Sequence, residues 1–345
     1  MIYAKAPTRN AEQVKQALAR LKLLDTHRYV QHSPSYVYFP VNISDAKVKK
    51  LIESCGAERV MRKEATGSGK MALRSMPKPK LTSNELKSLE KGFDLFGDIA
   101  LIEAPRGSKD KEKTIANAIL KANPRIKTVL AKAGPISGIY RTRKLRFVAG
   151  HKNFVALHKE NGCIFKVDLR KVFFSSRFAF ERNRIVSLVS ERERVMVMFA
   201  GVGPFAIEIA KAHKKTKVVG IELNRRGYEY MVENIKLNKT ENVLPVLGDV
   251  RVAAKDFHGF ADRIIMPMPK TSYKFLDEAF AVARKNAFVN IYSFSTIENQ
   301  FNSIKDEIRE HAKEHGYKVK FIFGRVVRPY SAKEAEVVLD YKITK

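Results

Sequence analysis

Residues 195–224 read VMVMFAGVGPFAIEIAKAHKKTKVVGIELN, and no other segment of the chain says as much about its architecture. The run Val195–Phe199 is short, apolar and rich in β-formers, as a buried strand would be. Gly201-Val202-Gly203-Pro204 follows as a turn whose small residues let the backbone approach a ligand. Residues Phe205 to His213 have helix-forming composition, and a second apolar run, Val218–Ile221, ends on the acidic Glu222. Strand, glycine turn, helix, strand and acid make a nucleotide-binding βαβ unit. In such a unit backbone amides face the ligand and the carboxylate takes a ribose diol.

The dinucleotide fingerprint G-x-G-x-x-G is incomplete here, because the third glycine position is Ala206. The turn from Phe199 to Phe205 instead resembles motif I of the class I S-adenosylmethionine methyltransferases. That cofactor has no pyrophosphate, so a third, helix-packing glycine matters less.

Working outward, a chain of 345 residues with 45% hydrophobic content is long enough for two or three packed domains. No apolar run is long enough to span a membrane and the N-terminus lacks the apolar stretch of a signal peptide, so a cytoplasmic protein is expected. Cys55 and Cys163 stand in no metal-ligand spacing and are read as free thiols. The net charge of +29 is spread along the length: 16 basic against 6 acidic residues in 1–80, 19 against 9 in 81–172, and 30 against 21 in 173–345. A polyanion touching every domain is the natural partner; a surface tuned for solubility is the blander account.

The chain divides by pattern. Residues 1–65 read as a small α+β domain, with Asn10 capping a helix Ala11–Leu24, strands near Tyr29-Val30 and Ser35–Val41, and a second helix Ser44–Ser54. Residues 66–83, with their prolines, glycines and cations, read as a basic linker. Residues 84–171 form a second α+β domain. Phe93–Ile102 is read as a strand, Lys111–Lys121 as a helix, Gly134–Gly138 as a turn and Ile139–Gly150 as a strand that presents Arg141 and Arg143 on one face. Asn161-Gly162 signals a two-residue hairpin between Phe154–His158 and Cys163–Asp168. Residues 172–345 supply the rest: helices Ala179–Val189, Arg225–Leu237, Tyr273–Lys285 and Ile297–His315, and further strands up to Glu336–Tyr341. The count matches a seven-stranded doubly wound α/β sheet. Asp249, just past the strand Asn242–Leu247, is placed to reach an adenine amino group at the carboxyl edge.

Nearly the whole chain resembles the archaeal and eukaryotic tRNA guanosine-37 N1-methyltransferases. The resemblance rests on Gly138–Arg143, Glu160–Asp168, Phe174–Phe178, Glu181-Arg182, the motif I block, Asn234–Asn238 and Arg325–Tyr330. It implies a class I Rossmann-like domain preceded by two α+β domains, with S-adenosylmethionine as cofactor and tRNA as partner. The first domain would dock on the outer corner of the tRNA and the others would grip its anticodon loop. No obligatory protein partner or membrane is implied, and a monomer is expected. Where the family usually has Asn-Leu-Pro, this chain has Pro267-Met268-Pro269. That departure is similar to the archaeal subgroup that also methylates C7 of the wyosine precursor 4-demethylwyosine.

The resemblance also implies roles. Guanine N1 carries a proton at neutral pH, so a base must remove it; Glu181 matches that base. Arg141 matches the guanidinium that stabilises the charge developing on O6. Arg177, Phe199, Gly201, Gly203, Glu222, Asp249 and Val250 fall to the cofactor, and Arg143, Pro267 and Pro269 to the target nucleotide. A carboxylate in a first helical turn also suits the helix dipole, and Arg141 would equally suit a phosphate. Methyl transfer from a sulfonium needs no metal. The aminocarboxypropyl transferases of wybutosine synthesis share fold and cofactor and are the nearest alternative, followed by a guanosine-only methyltransferase. An RNA-binding protein with a relic cofactor fold and a dinucleotide oxidoreductase stand further off.

Overall fold

A computed structural model describes residues 2–7, 10–21, 23–25, 30–32, 36–41, 52–54, 56–61, 93–103, 109–296, 301–331 and 333–344. The linker 66–83, most of the helix expected at Ser44–Ser54, and Cys55 lie outside the described residues. Two compact units emerge: residues 1–133 with 146–153 and 176–187, and residues 134–145 with 154–175 and 188–345.

The first unit opens with strands β1 (Ile2–Pro7), β2 (Gln31–His32), β3 (Tyr36–Pro40) and β4 (Glu58–Met61), in sheet order β2-β3-β1-β4. Helix α1 (Ala11–Arg20) packs Val14 and Leu18 with Phe39, Val41 and Ile52. Asn10 does not cap it with its side chain. A second sheet orders β5 (Asp94–Phe96), β6 (Ile99–Glu103), β7 (Thr128–Ser137) and β8 (Thr142–Gly150) in sequence, with helix α2 (Lys109–Ala122) contributing Ile115 and Ile119 to its core.

Two expectations are corrected here. Phe93–Ile102 is a hairpin, not one strand, because Gly97 takes φ 57° and turns β5 back onto β6. Gly134-Pro135 lies inside β7 instead of in a turn. Among the described residues the β6–β7 pairing reaches Glu103↔Lys132, before Pro135 in the strand. The turn falls later, at Gly138 (φ 71°) and Arg141 (φ 53°), with the Arg141 N–H donating to Gly138 O at 3.1 Å. Arg141 therefore sits in a turn and not on a strand face beside Arg143, which lies on β8.

The second unit holds the hairpin β9 (Val155–Glu160) and β10 (Cys163–Asp168), closed by Asn161 and Gly162 at φ 45° and 75°. Two successive positive φ values are what an Asn-Gly turn of type I′ requires. Its main sheet is built from β11 (Arg194–Met198), β12 (Lys217–Glu222), β13 (Val243–Leu247), β14 (Ala261–Met266), β15 (Ala283–Thr296), β16 (Lys318–Pro329) and β17 (Glu334–Thr344). Their order is β13-β12-β11-β14-β15-β17-β16. All neighbours are parallel up to β15, while β17 runs antiparallel to both its partners.

Val195 to Met198 are fully buried, as a strand covered by helices on both faces must be. The helices of this unit are α4 (Pro204–Ala212), α5 (Arg225–Asn238), the single turn α6 (Val250–Ala253), α7 (Leu276–Val282) and α8 (Asn302–Glu314); α3 (Ala179–Leu188) belongs to the first unit up to residue 187. The expected helix Tyr273–Lys285 is a 3₁₀ turn followed by α7, and it ends at Val282. Ala283 already pairs with Ala261, and a bulge with Asn286 at φ 69° then shifts the register to Arg263↔Phe288. Chain order reverses between β11 and β14, and ligands of such sheets bind at the carboxyl edge of that switch point.

Candidate active site

Four loops leave the carboxyl edge around the switch point. The loop after β11 carries Phe199, Gly201 and Gly203. Phe199 takes φ 59°, unusual for a residue with a side chain, and its ring meets Phe275 edge to face at 4.8 Å. Gly201 takes φ 60°. Gly203 takes φ 86° before α4, and a Cβ there would lie 2.8 Å from Met231 Cγ, so only glycine lets α4 and α5 close on the turn. Pro204 starts α4, where its missing N–H costs nothing.

The loop after β12 begins at Glu222. Its Oε2 accepts the Gly201 N–H at 2.6 Å and its Oε1 accepts the Asn224 N–H at 2.7 Å. Burial pushes this carboxyl up, and the backbone N–H groups oppose that push. Gly227 makes room for it: a Cβ at 227 would lie 3.1 Å from Glu222 Cγ. Each carboxylate oxygen keeps a second lone pair, so the group that braces the glycine turn can still accept a ribose hydroxyl. These residues fit a nucleoside cofactor.

After β13, Asp249 caps α6 by accepting the Arg251 N–H at 2.9 Å, and its carboxylate also receives the Arg251 guanidinium, with Nη2 at 2.5 Å. The Arg251 hydrogen bonds hold the Asp249 carboxyl below the usual range. Val250 is buried under it. After β14, Pro267 is half-buried and Pro269 buried. Ser272 Oγ donates to Met266 O at 3.1 Å and Met268 O at 2.8 Å, and Phe294 N–H donates to Pro269 O at 3.1 Å. The rim is thus clamped through its carbonyls.

In the same unit Arg141 lies over the Phe173 ring at 5.1 Å. Its Nε and Nη1 are buried with no hydrogen-bond partner among the described residues. Burial lowers its pKa and Glu336 opposes that, while Glu336 itself accepts from Arg328 Nε at 2.6 Å. The Nε of Arg143 is likewise buried without a partner among the described residues. The turn exposes Ile139 and Tyr140 beside it.

Arg177 and Glu181 belong to the first unit. Arg177 Nε and Nη2 both donate to Asp94 Oδ1, at 2.9 and 2.7 Å, and Lys132 Nζ donates to Asp94 Oδ2 at 3.0 Å. Burial would raise the Asp94 carboxyl, but these cations outweigh it and hold it low. Glu181 is 1% exposed in the first turn of α3, and its Oε2 accepts from Arg184 Nε at 2.9 Å.

Asn234 and Asn238 of α5 brace the glycine turn and β10, a contribution that the sequence motif alone does not reveal. Asn234 accepts the Lys166 N–H at 2.7 Å and donates to Lys166 O at 3.2 Å and Val202 O at 3.1 Å. Asn238 accepts the Ile164 N–H at 2.9 Å and donates to Ile164 O at 2.7 Å. One helix face therefore ties β10 to the glycine turn. The signal was two asparagines four apart inside a helix, where asparagine is a poor helix former.

Residues 156–320 match the model of the TRM5/TYW2 methyltransferase domain, residues 73–153 the TYW2 N-terminal domain, and residues 5–48 the tRNA methyltransferase 5 N-terminal domain. A tRNA (guanine(37)-N(1))-methyltransferase, Trm5b of Pyrococcus abyssi, is 34% identical over 99% of this chain and 98% of its own. The chain belongs to the TRM5/TYW2 methyltransferase family. The crystal structure of that Pyrococcus Trm5b superposes with TM-score 0.70, covering all of both chains at 32% identity. A complex of aTrm5 with tRNALeu superposes at 0.68 and 27% identity over 99% of each chain. A further TRM5/TYW2 relative, the guanine(37)-N(1)/4-demethylwyosine(37)-methyltransferase Taw22 of Nanoarchaeum equitans, is 31% identical over 69% of this chain and 96% of its own. As a TRM5/TYW2 enzyme, the protein is an S-adenosylmethionine-dependent tRNA methyltransferase.

Proposed function

We propose that this protein methylates position 37 in the anticodon loop of tRNA, at N1 of guanosine and at C7 of 4-demethylwyosine. The observation that carries the reading is Arg141. Its guanidinium is stacked on Phe173 with two N–H groups unclaimed among the described residues, in a unit that also bears the cofactor edge. Residues held in sparsely populated backbone conformations cluster at functional sites, and Arg141 is one.

Bound S-adenosylmethionine supplies an activated methyl group on a sulfonium. Glu222 would hold the ribose hydroxyls and Asp249 and Val250 the adenine, with Phe199, Gly201, Gly203 and Arg177 the further residues assigned to the cofactor. Glu181 removes the proton from guanine N1, and Arg141 stabilises the negative charge that this leaves on O6. For the wyosine precursor the same carboxylate takes the proton from the carbon nucleophile. Arg143, Pro267 and Pro269 shape the rim that receives the base, and the Pro267 ring, lacking an amide, leaves room for a tricyclic base. Residues 1–65 dock on the tRNA outer corner, joined by 66–83 to the RNA-gripping domain 84–171 and the catalytic domain 172–345. The enzyme acts as a cytoplasmic monomer with no obligatory protein partner.

The test offers two tRNAs, one with guanosine and one with 4-demethylwyosine at position 37, and analyses the nucleosides by mass. A gain of one methyl group on both is expected. Methylation of guanosine alone would remove the second activity, and a larger mass gain would point to aminocarboxypropyl transfer. Glu181→Gln should slow single-turnover methylation of guanosine by about 10²–10⁴-fold with cofactor affinity retained; an unchanged rate would assign the base elsewhere.

A further inference from the structure

Two imidazoles and two carboxylates that have no part in the chemistry above converge on the surface of the second unit. His311 and His315 lie four residues apart at the end of α8, so they share a face. Asp277 comes from α7. His311 Nδ1 and His315 Nε2 each lie 2.9 Å from the same atom, Asp277 Oδ1. Glu314 Oε2 is 3.8 Å from His311 Nδ1. One ligand atom from each of Asp277, His311 and Glu314 falls within 4.8 Å of the others. His315 is held in place by stacking on Phe280, with centroids 5.6 Å apart and planes 20° apart.

A tetrahedral zinc site has metal–ligand bonds of about 2.0–2.2 Å, which puts its donor atoms roughly 3.3 Å apart. Spacings of 2.9 and 3.8 Å bracket that value. Imidazole nitrogen with carboxylate oxygen is a donor set for first-row divalent ions of the zinc kind, not for magnesium or calcium, which favour oxygen alone.

We propose that Asp277, His311 and Glu314 bind one zinc-type divalent ion that clips α7 to α8, with His315 bonded to Asp277 Oδ1 behind it. The His311 imidazole turns the Nδ1 lone pair to the ion and keeps its ring proton on Nε2, His315 Nε2–H donates to Asp277, and no redox change is involved.

The full-length protein, stripped of metal by a chelator, would be titrated with Zn²⁺, and with Co²⁺ as a chromophore. One equivalent should bind, Co²⁺ should give the visible absorption of a four-coordinate site, and saturating Zn²⁺ should raise Tm by roughly 3 °C or more. The double variant His311→Ala/His315→Ala should lose all three responses, and His258→Ala, at an exposed histidine elsewhere, should keep them. Asp277→Asn retains both histidines and should weaken binding by about tenfold or more, since even partners behind the ligands matter that much. Absence of one-to-one binding by the unaltered protein would overturn the proposal, leaving a hydrogen-bonded staple. So would equal affinity in the double variant or in Asp277→Asn.

Discussion

Glu222 braces the glycine turn with its carboxylate, and the ribose contact proposed for it would draw on the same charge. It accepts one N–H from the glycine turn and one from its own loop, and it retains lone pairs for the ribose. In Glu222→Gln one of the two backbone N–H groups would face an amide N–H, so the turn would lose a bond as well as an acceptor. Cofactor affinity, read by calorimetry, should drop by about 10–100-fold for the loss of a charged hydrogen-bond acceptor. Burial also sets the pH response. The carboxyl is raised, so its charged form is present above the raised value and is lost as pH falls through it. Affinity for S-adenosylmethionine should therefore begin to fall at a higher pH than the ordinary glutamate value of about 4.3, and a titration midpoint at or below that value would contradict the assignment.

At the scale of elements, α5 holds the hairpin β9–β10 with two side-chain amides where a neighbouring strand would use backbone. Asn234→Ala would leave the Lys166 N–H and C=O and the Val202 C=O without that partner in a fully buried place. A loss of about 2–4 kcal/mol in unfolding free energy is expected, with weaker cofactor binding because Val202 lies in the glycine turn. Chemical denaturation and calorimetry would check both. The hairpin itself was legible, because Asn161-Gly162 is a local signal. So was the βαβ unit, whose strands and turn are each complete within a few residues. The Asn234 and Asn238 ladder was legible only as a motif, since its partners lie 68 and 74 positions away. The Phe93–Ile102 hairpin is hard to read because β5 is only three residues long, too short to show a period before the Gly97-Asp98 turn. Gly134-Pro135 reads as a turn signal, yet β7 runs through it to Ser137 and the turn falls at Gly138–Arg141, so the position of Arg141 is not legible from local composition.

For the whole molecule the dominant quantity is a net charge of +29, shared by every part of the chain. No helix among the described residues is long and apolar enough to cross a membrane, and the charge suits a polyanion. If six or more phosphates are neutralised on binding, affinity for tRNA should fall by about 10³-fold between 50 and 200 mM salt, while affinity for S-adenosylmethionine stays nearly constant. A filter-binding series across that range would show a shallow slope if the charge serves solubility alone. A chain this basic remains at risk of self-association once RNA or salt neutralises it, and exposed strand edges are where such association starts. The amides of Asn234 and Asn238 already occupy the outward N–H and C=O groups of Ile164 and Lys166. A foreign strand approaching the free side of β10 thus finds the rungs at Ile164 and Lys166 already taken.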